Sequence, residues 1–132
     1  MDRVTVALNN HKKGYNCAQS VLCAFTDLIG YDEDGLFKLS EAFGGGIGGT
    51  GNICGAVSAI VMIAGITKSA GVSVLPVTNK KNSYETAAML MEKFNNMNKS
   101  LICSEIKNKG LRSCDGCIED AVRILEKYFE TI

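Results

Sequence analysis

The chain has one histidine, one proline and no net charge, since fourteen Lys and Arg balance fourteen Asp and Glu. Each shortage excludes a class of function. A Ser–His or Cys–His hydrolase needs an imidazole base beside its nucleophile. The sole imidazole, His11, lies in a polar stretch with Lys12 and Lys13 and reads as a solvated surface residue. Without a basic excess, phosphate neutralisation cannot drive nucleic-acid binding, so no nucleic acid is expected as a partner. A near-absence of proline, with no Ser- or Gln-rich tract, argues against a disordered or fibrous chain.

Long apolar runs are also missing. No charge occurs between Glu41 and Lys68, but the first half of that stretch is largely glycine. Its apolar part, Ile53 to Ile66, spans fourteen residues. A membrane-spanning helix needs about 20, so no membrane insertion is expected and the segment reads as a buried core helix. The N-terminal stretch has Asp2 and no apolar core, unlike an export signal. The expected location is cytoplasmic, where thiols stay reduced.

What the chain does have is six cysteines and fourteen glycines in 132 residues, with 46% hydrophobic and 21% charged residues. That length and balance suit one globular domain over residues 1–132 with a core of its own. No period-two alternation stands out, and the pattern is of helices punctuated by glycine. Expected helices cover Asp2–Lys13, Cys17–Ile29 behind an Asn16 cap, and a short stretch after Asp32 or Asp34. A nearly all-apolar helix follows over about 53–70. Val72–Asn82 reads as a loop with an extended piece at Val72–Leu75. Further helices run from a Ser83 cap to Met97, over Leu101–Lys109, and from Ser113–Cys117 to Phe129. Met89, Met91 and Met97 read as core. The expected fold is therefore an all-α multi-helix bundle around the 53–70 helix, preceded by a Gly-rich loop.

The cysteines sort by position. Cys17, Cys54, Cys114 and Cys117 fall at expected helix N-termini, where the dipole and free N–H groups favour a thiolate. Cys23 lies about 120° around the helix from Cys17, among Leu22, Ala24 and Phe25, and reads as a small buried hydrophobe. Local sequence leaves Cys103 unassigned. Cys114-Asp115-Gly116-Cys117 has Cys-x-x-Cys spacing, but no strand of a βαβ unit precedes it. Ile118 stands where a haem site needs His, so no haem is expected.

The run Gly44-Gly45-Gly46-Ile47-Gly48-Gly49-Thr50-Gly51 matches a dinucleotide fingerprint only in its letters. It lacks the preceding strand and the following acidic residue, so no nucleotide is expected. Glycines here are expected to let backbone pass closely around a bulky centre and aim N–H groups at sulfur.

Three stretches, Gly14-Tyr15-Asn16-Cys17-Ala18-Gln19-Ser20-Val21-Leu22, Phe43-Gly44-Gly45-Gly46-Ile47-Gly48 and Cys54-Gly55-Ala56-Val57-Ser58, are followed by Cys103 and Cys117. In this order they resemble the C_GCAxxG_C_C family of redox-active proteins. The resemblance runs from about Ala7 to Tyr128. It departs at Ala59, where the family motif has Gly, and in the additional Cys114. It implies a helical bundle that brings Cys17, Cys54, Cys103 and Cys117 together, with Cys114 as the alternative fourth thiol.

On that basis the expected function is a thiolate-ligated metal centre, an iron–sulfur cluster or alternatively zinc, for electron transfer or redox sensing. The backbone of Gly45, Gly46, Gly48 and Gly55 would surround it. The alternative is metal-free thiol–disulfide chemistry at Cys54 or Cys17 with a resolving thiol nearby. A third reading is a structural module with buried cysteines. A redox partner protein is implied but not identified, and a homo-oligomer is left open.

Overall fold

Four helix starts in this chain are set by short polar side chains that satisfy the first free N–H groups. In the structure, a computed structural model covering residues 1–132, Asp2 accepts from the Thr5 N–H at 2.8 Å and opens α1 (Arg3–Lys12). Asn16 and Gln19 form a reciprocal capping box over α2 (Cys17–Leu22). Asp32 caps α4 (Glu33–Glu41) and Ser113 caps α8 (Cys114–Thr131). Between them lie α3 (Thr26–Ile29), α5 (Gly55–Lys68), α6 (Lys80–Asn98) and α7 (Cys103–Asn108). The fold is an all-α multi-helix bundle. None of its helices is long and apolar enough to cross a membrane.

α5 is the central element. Ala56, Val57, Ala59, Ile60, Ile63 and Ala64 are buried, and α5 packs on α2, α6 and α8. The amphipathic α8 adds Ile118, Val122 and Leu125 to one contiguous core. Phe25 stacks on Phe129 at 5.5 Å.

Four details differ from the sequence reading. The expected Cys17–Ile29 helix breaks into α2, a 3-10 turn at Cys23–Phe25, and α3. Arg3 explains the break: its guanidinium takes the Ala24 carbonyl at 2.8 Å and pairs with Asp27 at 2.6 and 2.7 Å. That carbonyl is then bonded outside the helix ladder. α6 begins at Lys80, three residues before the expected Ser83 cap, after an Asn79 that ties back to the end of α5. Val72–Val74 form a 3-10 turn instead of an extended piece. Met89 and Met97 are about half exposed, and only Met91 packs against the core; the other two face outward from α6.

α5 also starts later than expected, and this positions the site. Ile53 pairs with Ile102 in an isolated antiparallel bridge. The Cys54 N–H donates to the Leu101 carbonyl at 2.8 Å, and the Cys103 N–H donates to the Asn52 carbonyl at 2.6 Å. Two cysteines 49 positions apart in sequence, Cys54 and Cys103, are thereby fixed at the ends of one backbone tie, each opening a helix.

Candidate redox site: a cavity lined by five cysteines

The glycine run forms a left-handed turn. Gly45, Gly46, Ile47, Gly48 and Gly49 have φ of +63°, +75°, +70°, +62° and +70°, a conformation that costs L-residues about 1–2 kcal/mol each. Ile47, a β-branched residue, bears that strain. Gly46 is required for a second reason. A Cβ there would stand 2.6 Å from the Asn52 nitrogen and 2.8 Å from the Cys103 Cβ. Gly55 permits another close approach, since its Cβ would meet the Ala18 nitrogen at 3.0 Å. Glycine thus lets the loop close on α7 and lets α5 close on α2.

These approaches bring Cys17, Cys54, Cys103, Cys114 and Cys117 around one cavity of about 30 Å³, with Gly45 and Gly55 in its wall. All five thiols are free. Cys54 and Cys117 are buried, while Cys17, Cys103 and Cys114 are partly exposed. Cys23 lies off the cavity, buried against the Glu33 carbonyl, as expected. Cys103, which local sequence leaves unassigned, is the first residue of α7.

The sulfurs differ in their chemistry. Donation from the Cys117 thiol, with the N–H groups of Ala56 and Val57 in the first turn of α5, brings the Cys54 pKa down to about 7 despite burial. Cys117, as the donor to that thiolate, is held strongly neutral, and burial adds to the effect. Burial, followed by the neighbouring Cys114 and Cys54 charges, pushes Cys17 up to about 12. Cys103 is raised, chiefly by burial. The cavity thus sets a thiol of lowered pKa, Cys54, beside the neutral Cys117, with Cys17, Cys103 and Cys114 on the same wall.

The glycine loop spends most of its N–H groups on its own backbone. The N–H groups of Gly44 and of Ile47 through Asn52 donate to backbone carbonyls, leaving only Gly45 and Gly46 without a backbone acceptor. The amides that favour the thiolate come from α5 instead. Gly48 faces open space, and Gly46 packs behind Cys103.

Two cations at the cavity, Lys107 and Arg112, escape the sequence reading. Lys107 lies one helical turn after Cys103, a spacing that puts both on one face. Arg112 is held by the buried Asp120 carboxylate at 3.1 and 3.2 Å and lies against Gly116. That contact accounts for the glycine in Cys-Asp-Gly-Cys, because a methyl there would collide with the guanidinium. His11 reaches Asp115 at 2.6 Å and is not among the residues lining the cavity.

A family model described as "Putative redox-active protein (C_GCAxxG_C_C)" matches residues 15–128. The chain belongs to the C_GCAxxG_C_C family. No curated protein and no solved structure matches it. The matched span contains all six cysteines.

The C_GCAxxG_C_C resemblance carried an expectation of metal, and soft thiolates are the right donors for zinc or an iron–sulfur cluster. No group of three or more Cys, His, Asp or Glu side chains is placed to hold a metal ion. The cavity, about 30 Å³, has room for one or two waters.

Proposed function

We propose that this protein is a two-electron thiol redox protein whose working dithiol is Cys54 and Cys117. The observation that carries this reading is that Cys54 and Cys117, both buried, line one cavity, with Cys54 capping the N-terminus of α5. A thiolate is the nucleophile of disulfide exchange, and an attacker with a pKa near ambient pH reacts best. Cys54 meets that condition. Its sulfur attacks one sulfur of an external disulfide, and the other sulfur leaves as a thiolate. Cys117 then gives up its proton and attacks the Cys54 sulfur, expelling the second external thiolate. The external disulfide gains two electrons and two protons, and Cys54–Cys117 becomes the disulfide. The reverse sequence oxidises an external dithiol.

A second reading has one observation in its favour: five sulfurs line one cavity. Under it Cys17, Cys54, Cys103 and Cys117, or Cys114 in place of the last, would hold an iron–sulfur cluster or zinc. Anaerobic purification separates the two readings. The dithiol reading expects colourless protein without stoichiometric iron or zinc, and a Cys54–Cys117 disulfide on mild oxidation. A thiolate-to-metal absorption band with stoichiometric metal, lost on Cys103→Ala, would replace it with the metal reading.

A further inference from the structure

The Cys54–Cys117 pair has an access problem. Cys54 is 5% exposed and Cys117 is 3% exposed. The cavity beside them has room for one or two waters. No peptide-sized disulfide reaches either sulfur through such a space, although exchange requires direct sulfur–sulfur contact. Three thiols on the same cavity wall are partly exposed: Cys17, Cys103 and Cys114. Two of these, Cys17 and Cys114, are the first residues of α2 and α8 and line the same cavity. Cys103, by contrast, has the Gly46 backbone packed against its Cβ.

We propose that Cys17 and Cys114 form a second, outer dithiol that meets disulfide-bearing peptide or protein partners and relays electrons to and from the inner pair. The inference rests on the inner dithiol proposed above and adds its route to the surface. In the oxidising direction an outer thiolate attacks a partner disulfide and expels one partner thiolate. The other outer thiol, on losing its proton, closes the Cys17–Cys114 disulfide and expels the second. The partner has then been reduced to two thiols.

The inner pair follows by exchange. The Cys54 thiolate attacks the Cys17 sulfur, and Cys114 leaves as a thiolate. Cys117, on losing its proton, attacks the Cys54 sulfur and releases Cys17. Cys117 supplies one proton to the outer pair and solvent supplies the second, and the disulfide ends up at Cys54–Cys117. The reverse order delivers electrons outward. Cys114 and Cys117, one turn apart on α8, serve the outer and inner pairs respectively.

Oxidised glutathione is the test probe for a peptide-sized disulfide, and hydrogen peroxide the probe small enough for the cavity. Reduced protein is mixed with each, quenched by alkylation, and its disulfides are mapped by mass spectrometry. With glutathione, wild type is expected to accumulate Cys54–Cys117, and Cys54→Ser to stop at Cys17–Cys114. In Cys114→Ser, closure of Cys54–Cys117 by glutathione is expected to slow at least tenfold. Peroxide should still close it there, which verifies an intact inner site. Slowing by less than tenfold in Cys114→Ser, or a Cys103–glutathione adduct in place of Cys17–Cys114 in Cys54→Ser, overturns the relay. Absence of Cys54–Cys117 in wild type with both oxidants would instead overturn the inner dithiol itself.

Discussion

Cys54 is buried, and burial alone would hold its thiol neutral. Donation from Cys117 and from two amides of α5 outweighs that penalty and brings its pKa to about 7. The sign of a substitution follows. Cys117→Ala removes a group that favours the charged form, so the Cys54 pKa must rise. Cys117→Ser keeps a donor and should retain most of the effect. Peptide-resolved alkylation by iodoacetamide against pH is expected to show Cys54 half-reactive near pH 7 in wild type. In Cys117→Ala the midpoint moves up by more than one unit, and reactivity at pH 7 falls at least about fivefold. An equal shift in the serine and alanine variants would show that packing, not donation, sets it. Part of this was legible: the N-terminal positions of Cys17, Cys54 and Cys114 follow from the Asn16 cap, the glycine run and the Ser113 cap. The partnering of Cys54 with Cys117 was not, because it depends on how α5 and α8 pack.

Among the elements, the left-handed turn at 45–49 is the one whose residues are most constrained. Gly46→Ala adds a positive-φ penalty and a collision with the Asn52 nitrogen and the Cys103 Cβ. Gly48→Ala adds only the penalty, because open space surrounds it. Urea denaturation should therefore show a loss of about 1 kcal/mol for Gly48→Ala and at least about 2 kcal/mol more for Gly46→Ala. The Gly46 variant should also change the reactivity of Cys103, which peptide mapping reads directly. In the core, Ile60→Ala leaves a void at a fully buried α5 position and should cost about 2–5 kcal/mol in the same assay. Caps and glycines made α1, α4 and α8 readable within a residue or two. The break in Cys17–Ile29 was not readable, because Arg3 captures the Ala24 carbonyl from 21 residues away. Nor was the start of α6, where Asn79 answers to the end of α5 rather than to its own helix.

Across the whole molecule the thiols give stability a pH dependence of definite sign. Cys17, Cys23 and Cys117 are raised above their ordinary value, and Cys54 is lowered. In the unfolded chain all titrate near the ordinary value of 9.0. A raised thiol stays neutral in the fold, so its stabilisation is complete below pH 9 and is lost as pH climbs toward the folded value, about 11 for Cys23 and about 12 for Cys17. Each such thiol contributes a slope of up to about 1.4 kcal/mol per pH unit in that window. The lowered Cys54 works in the opposite sense: its contribution is present above pH 9 and disappears as pH falls through about 7. Thiol-dependent stability therefore peaks near pH 9 and declines on both sides. Urea denaturation of the reduced protein from pH 7 to 10.5 should trace this peak, and Cys23→Ala, which removes one raised thiol off the cavity, should flatten the alkaline side while leaving the acid side unchanged. A wild-type stability that holds level from pH 9 to 10.5 would mean that the buried sulfurs ionise in the folded protein as freely as in water, leaving no physical reason for Cys54 to be singled out as the thiolate of the cavity.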